Sequence, residues 1–246
     1  MSKYKTIMKN KKLKTKGFNF KQFCIEGGES GMPVSTDGVM LGAWIQSPND
    51  AKILDIGTGT GLLALMCAQR FTEAEITAVD IELTAVAAAQ KNTAQSPWSD
   101  RVSVHHTDIL HFTPTHPFQR IICNPPYFNS GEQSKHSQRA TARHTDTLGH
   151  NVLLQRCYHL LDDEGRASFV LPITEGEQFI ELALNQGWYL SRICRVQPSE
   201  KKPVHRLLFE LSKRPCDSQT SHLVIRSNDR YSDDFIQLTR EFYLKM

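Results

Sequence analysis

Residues 53–65 read "ILDIGTGTGLLAL". A short apolar run, Ile53 to Ile56, meets glycines at 57, 59 and 61 and then a leucine-rich stretch of helical character. Glycine has no Cβ, so Gly57, Gly59 and Gly61 let the backbone turn tightly and let a ligand come close to it. The spacing narrows the ligand. A dinucleotide fingerprint needs a glycine at position 62, where Leu62 stands. A P-loop needs Gly-Lys followed by Ser or Thr, and no such triplet follows the glycines. What remains is a strand–loop–helix unit of GxGxG type, with Asp55 inside it.

Outward from this unit, short apolar runs alternate with helical stretches. "AKILDIG" is followed by the helix "TGLLALMCAQRF", "AEITAVD" by "ELTAVAAAQKNTA", and then come the strands "RVSVHHTDI" and "FQRIICN". A helix around 147–161 leads to "GRASFVLP", and "EGEQFIELALNQG" leads to "WYLSRICRV" and "VHRLLFELS". Strands separated by helices of this length imply βαβ units and a mainly parallel sheet. The last two strands are joined only by "QPSEKKP", so they pair antiparallel. The reading is one domain over 22–246, with a polar C-terminal extension at 212–246 in which Ser232 caps a final helix. It is preceded by a flexible basic arm over 1–21.

Ligands of such sheets bind beyond the carboxyl ends of the strands. Asp55, Asp80, Asp108 and Asn124 fall at or near the ends of four successive expected strands. They therefore share one rim with the glycine loop. A carboxylate at Asp80 can accept hydrogen bonds from both hydroxyls of a ribose. Asp108 is placed to accept from an adenine amino group. Each of these aspartates, taken singly, also fits a helix cap or a turn.

The fourth strand stops at "NPPYF", residues 124–128. Two prolines end a strand because neither donates a ladder hydrogen bond. With Pro at about 5% of residues, an Asn, Asp or Ser followed by two prolines and an aromatic residue arises by chance in roughly one chain in a hundred of this length. A chemical reading accounts for it better. An exocyclic amino group is a poor nucleophile because its lone pair is delocalised into the ring. Two acceptors aimed at its N–H bonds favour the pyramidal, reactive form. The Asn124 side-chain carbonyl and the Pro125 backbone carbonyl can supply them. Consecutive prolines stiffen the loop, with Pro126 beside the site. Tyr127 can stack on a base face, worth about 1–3 kcal/mol. Neither a metal nor a strong base is required.

This arrangement resembles the class I S-adenosylmethionine-dependent methyltransferases over residues 30–211. The resemblance implies an α/β, Rossmann-like fold with a mostly parallel seven-stranded sheet, an antiparallel edge hairpin and helices on both faces. It implies S-adenosyl-L-methionine as cofactor, with Gly57, Gly59 and Gly61 at its methionine moiety, Asp80 at its ribose and Asp108 at its adenine, and with Asp55 and Asn124 also among the cofactor-binding residues. The motif is similar to that of enzymes acting on adenine N6, cytosine N4, guanine N2 or glutamine amides, and does not choose among them.

Charge bears on that choice. Of the net +3, residues 1–21 hold eight lysines and no acid, which leaves −5 on the remainder. A lysine arm holding Lys11, Lys12 and Lys14 on an acidic body suits phosphates, although a solubilising tail has the same composition. After the motif, Phe128 and the basic Lys135, Arg139 and Arg143 suit an unstacked nucleotide, or a solvated lid. "GMPVSTDGVMLGAW" (31–44), "NPPYF" and the terminal "FYLKM" together resemble the bacterial tRNA1(Val) (adenine(37)-N6)-methyltransferase family over nearly the whole chain. That resemblance implies a tRNA partner and an anticodon-loop adenosine, with Asp37 at the cofactor rim before the first strand; Asp37 also fits a turn or cap. Two readings stay beside it: methylation of another RNA base or a protein glutamine, and a non-catalytic RNA-binding protein on this fold. No apolar run approaches the ~20 residues that span a bilayer. The six scattered cysteines suggest neither a metal pair nor a disulfide scaffold, which fits the cytoplasm. The oligomeric state is not legible.

Overall fold

A computed structural model describes residues 16–28, 33–125 and 149–245. Its main element pairs are set by the glycine-loop unit. Strand β3 (Lys52–Ile56) is buried on both faces from Ile53 onward, the pattern expected of a central parallel strand. It is flanked by β4 (Glu75–Asp80) on one side and by β6 (Phe118–Cys123) on the other, both parallel to it. Strand β5 (Val102–His106) lies outside β4, and β7 (Leu161–Pro172) outside β6. The chain therefore builds outward from β3 to β5 and then returns to the other edge of β3. That reversal opens a crevice at the carboxyl ends of β3 and β6.

Helices cover both faces. On one lie α1 (Thr36–Trp44), α2 (Leu62–Arg70) and α6 (Asp233–Thr239), around a core that includes Met40, Leu41, Leu65 and Phe235. Helix α3 (Leu83–Ala94) packs on β4 and β5. On the other face α4 (His150–Leu160) and α5 (Ile173–Leu184) bury Leu153, Leu154, Cys157, Phe179 and Ala183. None of the helices among the described residues is long and apolar enough to cross a membrane. All six cysteines are free thiols.

Beyond β7 the sheet continues with β9 (Arg206–Ser212) and β8 (Tyr189–Ser199), both pairings antiparallel. This is the hairpin expected from the short "QPSEKKP" link. The strand count differs from the expected seven: the described sheet has nine, in the order β11-β10-β8-β9-β7-β6-β3-β4-β5. The additions are β10 (Gln219–Ser227), parallel to β8, and β11 (Arg230–Tyr231), both from the polar tail. Most of β10 is exposed, so its sequence lacks the apolar run by which the other strands announce themselves. Ser232 caps α6, its Oγ accepting from the Phe235 N–H at 3.1 Å.

The arm expected over 1–21 is packed against the body at its near end. Strands β1 (Phe18–Asn19) and β2 (Cys24–Ile25) pair antiparallel, Phe20 is buried and bridges to Tyr243, and the Lys21 ammonium donates to the Arg240 carbonyl. Of the two aromatic residues here, Phe20 is buried and Phe18 stays exposed.

Candidate active site

The glycine loop is shaped by backbone conformation and held by two aspartates. Gly57, Gly59 and Gly61 all have positive φ (68°, 58° and 85°), a region that an L side chain strains to enter. Gly57 and Thr58 donate to the Val79 carbonyl at 2.9 and 3.0 Å, which pins the loop to the end of β4. Asp80 closes the turn. Its Oδ2 accepts from the Gly59 N–H at 2.8 Å, and its Oδ1 from the Glu82 N–H at 2.9 Å. The carboxylate remains partly exposed on the rim.

Asp55 lies beneath the loop, fully buried. Its Oδ2 accepts from the Thr58 hydroxyl at 2.6 Å and from the Ala64 N–H at 3.1 Å. The second bond satisfies one of the free amides at the start of α2, where Gly61 offers no side-chain cap. Burial pushes the carboxyl up to about 7. The Thr58 and Ala64 hydrogen bonds pull it down, and the charge of Asp80 adds to the rise. Its Oδ1 is buried and has no hydrogen-bond partner among the described residues.

Asp108 follows β5. Its Oδ1 accepts from the Leu110 N–H at 2.9 Å, which makes it a turn former, and its Oδ2 stands 3.6 Å from His111 Nδ1. Between Asp80 and Asp108 the rim is apolar: Ile81 and Leu83 are 40% and 66% exposed. His106 Nε2 lies 2.9 Å from the Ile81 carbonyl and steadies that segment.

Across the crevice, Cys123 pairs with Ile56, so Asn124 leaves β6 directly beside Gly57 leaving β3. Asn124 Oδ1 is buried and accepts no hydrogen bond from the described residues. Pro125 is buried behind it. The structure thus brings together Asp55, Gly57, Gly59, Gly61, Asp80, Asp108, Asn124 and Pro125 at one end of the sheet. Pro126, Tyr127, Phe128, Lys135, Arg139 and Arg143 lie outside the described residues, as do Lys11, Lys12 and Lys14.

Two supports of the site, Asn92 and the Arg206 partner of Asp37, have no sequence signature. Asn92 of α3, almost fully buried, donates from Nδ2 to the Thr60 carbonyl at 2.8 Å and to the Glu26 carbonyl at 3.1 Å, and its Oδ1 accepts from the Glu26 N–H at 2.9 Å. It ties the segment near Gly28 to the glycine loop. Asp37 lies in the first turn of α1, whose cap is Ser35, and pairs with Arg206 at 2.8 Å. Arg206 faces Pro172 at the end of β7, so the pair fixes α1 to the same rim. Such partners are distant in sequence and meet only through the packing.

The chain matches the family model "Methyltransferase small domain" over residues 38–155. Among solved structures it resembles a predicted O-methyltransferase from Agrobacterium tumefaciens (TM-score 0.63, 15% identity, covering 84% of this chain and 96% of that one), a likeness of fold. Curated relatives lie much nearer. The tRNA1(Val) (adenine(37)-N6)-methyltransferase of Vibrio parahaemolyticus is 76% identical over 97% of this chain and all of its own length. The protein of the same description from Vibrio cholerae is 58% identical over the same shares. The one from Aliivibrio fischeri is 52% identical over 94% of this chain and 99% of its own. Identity at this level, end to end and on a methyltransferase sheet, places the chain in the tRNA1(Val) (adenine(37)-N6)-methyltransferase family.

Proposed function

We propose that this chain methylates the exocyclic N6 amino group of adenosine 37 in the anticodon loop of tRNA1(Val), in the cytoplasm, with S-adenosyl-L-methionine as cofactor. The observation that carries the reading is Asn124 Oδ1, a buried acceptor with no donor among the described residues, at the mouth of the crevice beside the glycine loop. An unsatisfied buried acceptor costs about 1–3 kcal/mol. A substrate N–H supplies what it lacks. The activity named for the relatives agrees with this chemistry.

The residues present fit the cofactor. Gly57 has open space where a Cβ would stand. The Asp80 carboxylate has about four acceptor sites, and the two backbone N–H groups it binds leave room for ribose hydroxyls. Ile81 and Leu83 offer an apolar surface of the kind that suits the flat adenine, with Asp108 at its edge. When bound, the cofactor supplies a methyl group on a positively charged sulfur that leaves as a neutral thioether.

The chain's own part in the chemistry is positional. Asn124 Oδ1 and the Pro125 carbonyl accept the two N–H bonds of the amino group and favour its pyramidal form. Proline has no N–H to compete for those acceptors. Tyr127 stacks on the base. The test is incubation with methyl-labelled cofactor and separated tRNA, ribosomal RNA and protein fractions, followed by nucleoside analysis. The expected product is N6-methyladenosine at position 37. Label only in protein would point to a glutamine amide, and no label at all to a binding protein.

A further inference from the structure

Among the described residues seven large apolar side chains are exposed. Ile81 and Leu83 belong to the rim already described. Three others, Phe18, Tyr231 and Leu244, meet in one groove of about 530 Å³. Its walls are Gly17–Asn19, Val34–Thr36 at the start of α1, Tyr231 of β11 and Tyr243–Lys245. The aromatic surface is braced from behind. The Tyr243 ring stands edge-on to Phe18 with centroids 5.8 Å apart, and Phe235 stacks on Tyr231 at 5.0 Å.

The groove opens at the same end of the sheet as Asn124. Strand β10 is parallel to β8, and two antiparallel steps through β9 make β8 parallel to β7 and so to β6. The β10–β11 turn therefore lies at the carboxyl ends. Thr36, in the groove wall, is next to Asp37, which the Arg206 pair holds at the end of β7. Five strand spacings separate β6 from β11, roughly 24 Å, a span that several nucleotides of one RNA strand can cross.

Charge complementarity selects the occupant. Among the described residues no carboxylate lines the groove, whereas Lys245 does. The Arg226 guanidinium lies 4.5 Å over the Tyr231 ring. Asp233 and Asp234, in the first turn of α6, take no part in the lining. The chain that enters the wall at Gly17 is preceded by sixteen residues with seven lysines and no acid. Aromatic rings beside cations, with no acid, suit a polyanion that carries flat bases.

We infer that this groove holds an unpaired nucleotide of the substrate RNA away from the target adenosine, its base on Phe18 and Tyr243 and its phosphate at Lys245 and Arg226. The inference rests on the RNA reading above and adds a second point of contact to it. The site fixes which stretch of RNA reaches Asn124 by holding the strand at a set distance from it.

The test compares full-length wild type with Phe18→Ala and Lys245→Glu. Direct binding of unmodified tRNA is measured by fluorescence anisotropy, and methylation by label transfer. Phe18→Ala is expected to weaken RNA binding and raise the KM for RNA about tenfold, within the range of one base–aromatic contact. Lys245→Glu is expected to weaken both and to lower the salt slope of binding by about one contact. Cofactor affinity and kcat at saturating RNA are expected to stay within twofold. If Phe18→Ala misfolds, Lys245→Glu, at an exposed position, decides alone. RNA affinity within twofold of wild type in the folded variants overturns the inference. So does concentration-dependent self-association that the variants abolish, which would assign the groove to a second copy of the chain. Because binding is read apart from methylation, a wild type that binds tRNA without methylating it would sink the proposed function and leave the groove still tested.

Discussion

Asp55 has two roles that pull against each other. It anchors the glycine loop as a hydrogen-bond acceptor, and burial makes its charged form costly. Its folded value of about 7 lies above the 3.8 usual for a free aspartate. Between those two values the native chain holds a proton that the unfolded chain has released. Stability of the cofactor-free protein therefore falls as pH rises from about 4 to about 7, by as much as about 4 kcal/mol from this group, and levels off above. Thermal unfolding followed across that range should show the fall, and Asp55→Asn should flatten it. At Asn124 the expectation is kinetic. Asn124→Ala should lower kcat by about 10²–10³, the scale seen when one preorganised polar contact to a reacting group is removed, with cofactor affinity kept. Equal loss of rate and cofactor affinity would contradict its assigned role.

Elements hold the site through contacts that cross between them. Glu210 of β9 is almost fully buried and draws three strands together. It lies 3.1 Å from Arg166 of β7 and 3.8 Å from Arg192 of β8, and accepts from the Ser191 hydroxyl at 3.1 Å. Arg192 also stacks 4.0 Å over the Trp44 ring of α1. Glu210→Ala leaves Arg192, Ser168 and Ser191 without their shared acceptor and should cost about 3 kcal/mol in urea unfolding. Asn92→Ala should act nearer the chemistry. It frees the Thr60 carbonyl and the Glu26 segment, and should raise the cofactor dissociation constant more than it lowers kcat in titration and rate measurements. Strands β3 to β9 were legible because each pairs an apolar run with a turn signal. Strand β10 was not, since "QTSHLVIRS" is mostly polar and owes its place to the free edge of β8. The same limit applies to the site. The glycines, Asp80 and Asn124 advertise themselves by position after a strand, while Asn92 and Arg206 gain their roles only when distant segments meet. Asp108 was legible in place, and its Leu110 turn became visible only in three dimensions.

For the whole molecule the salient property is how charge is distributed. Seven lysines precede Gly17, and the body beyond residue 21 is net negative. If those lysines bind phosphates, removing residues 1–16 should weaken RNA binding and make log K fall less steeply with log salt, by about 0.7 per lost contact on a single strand. An unchanged slope would return the arm to a solubilising role. The pairing of Ile56 with Cys123 has a consequence of another kind. Because the glycine loop and Asn124 leave the same rung on neighbouring strands, the separation of their backbones is set by the strand spacing, about 4.8 Å, which is a property of the peptide backbone. Core side chains can drift freely so long as the ladder keeps its register. A sequence can therefore change at nearly half its positions, as between this chain and the relative from Aliivibrio fischeri, without any change in what sets the spacing of these two loops.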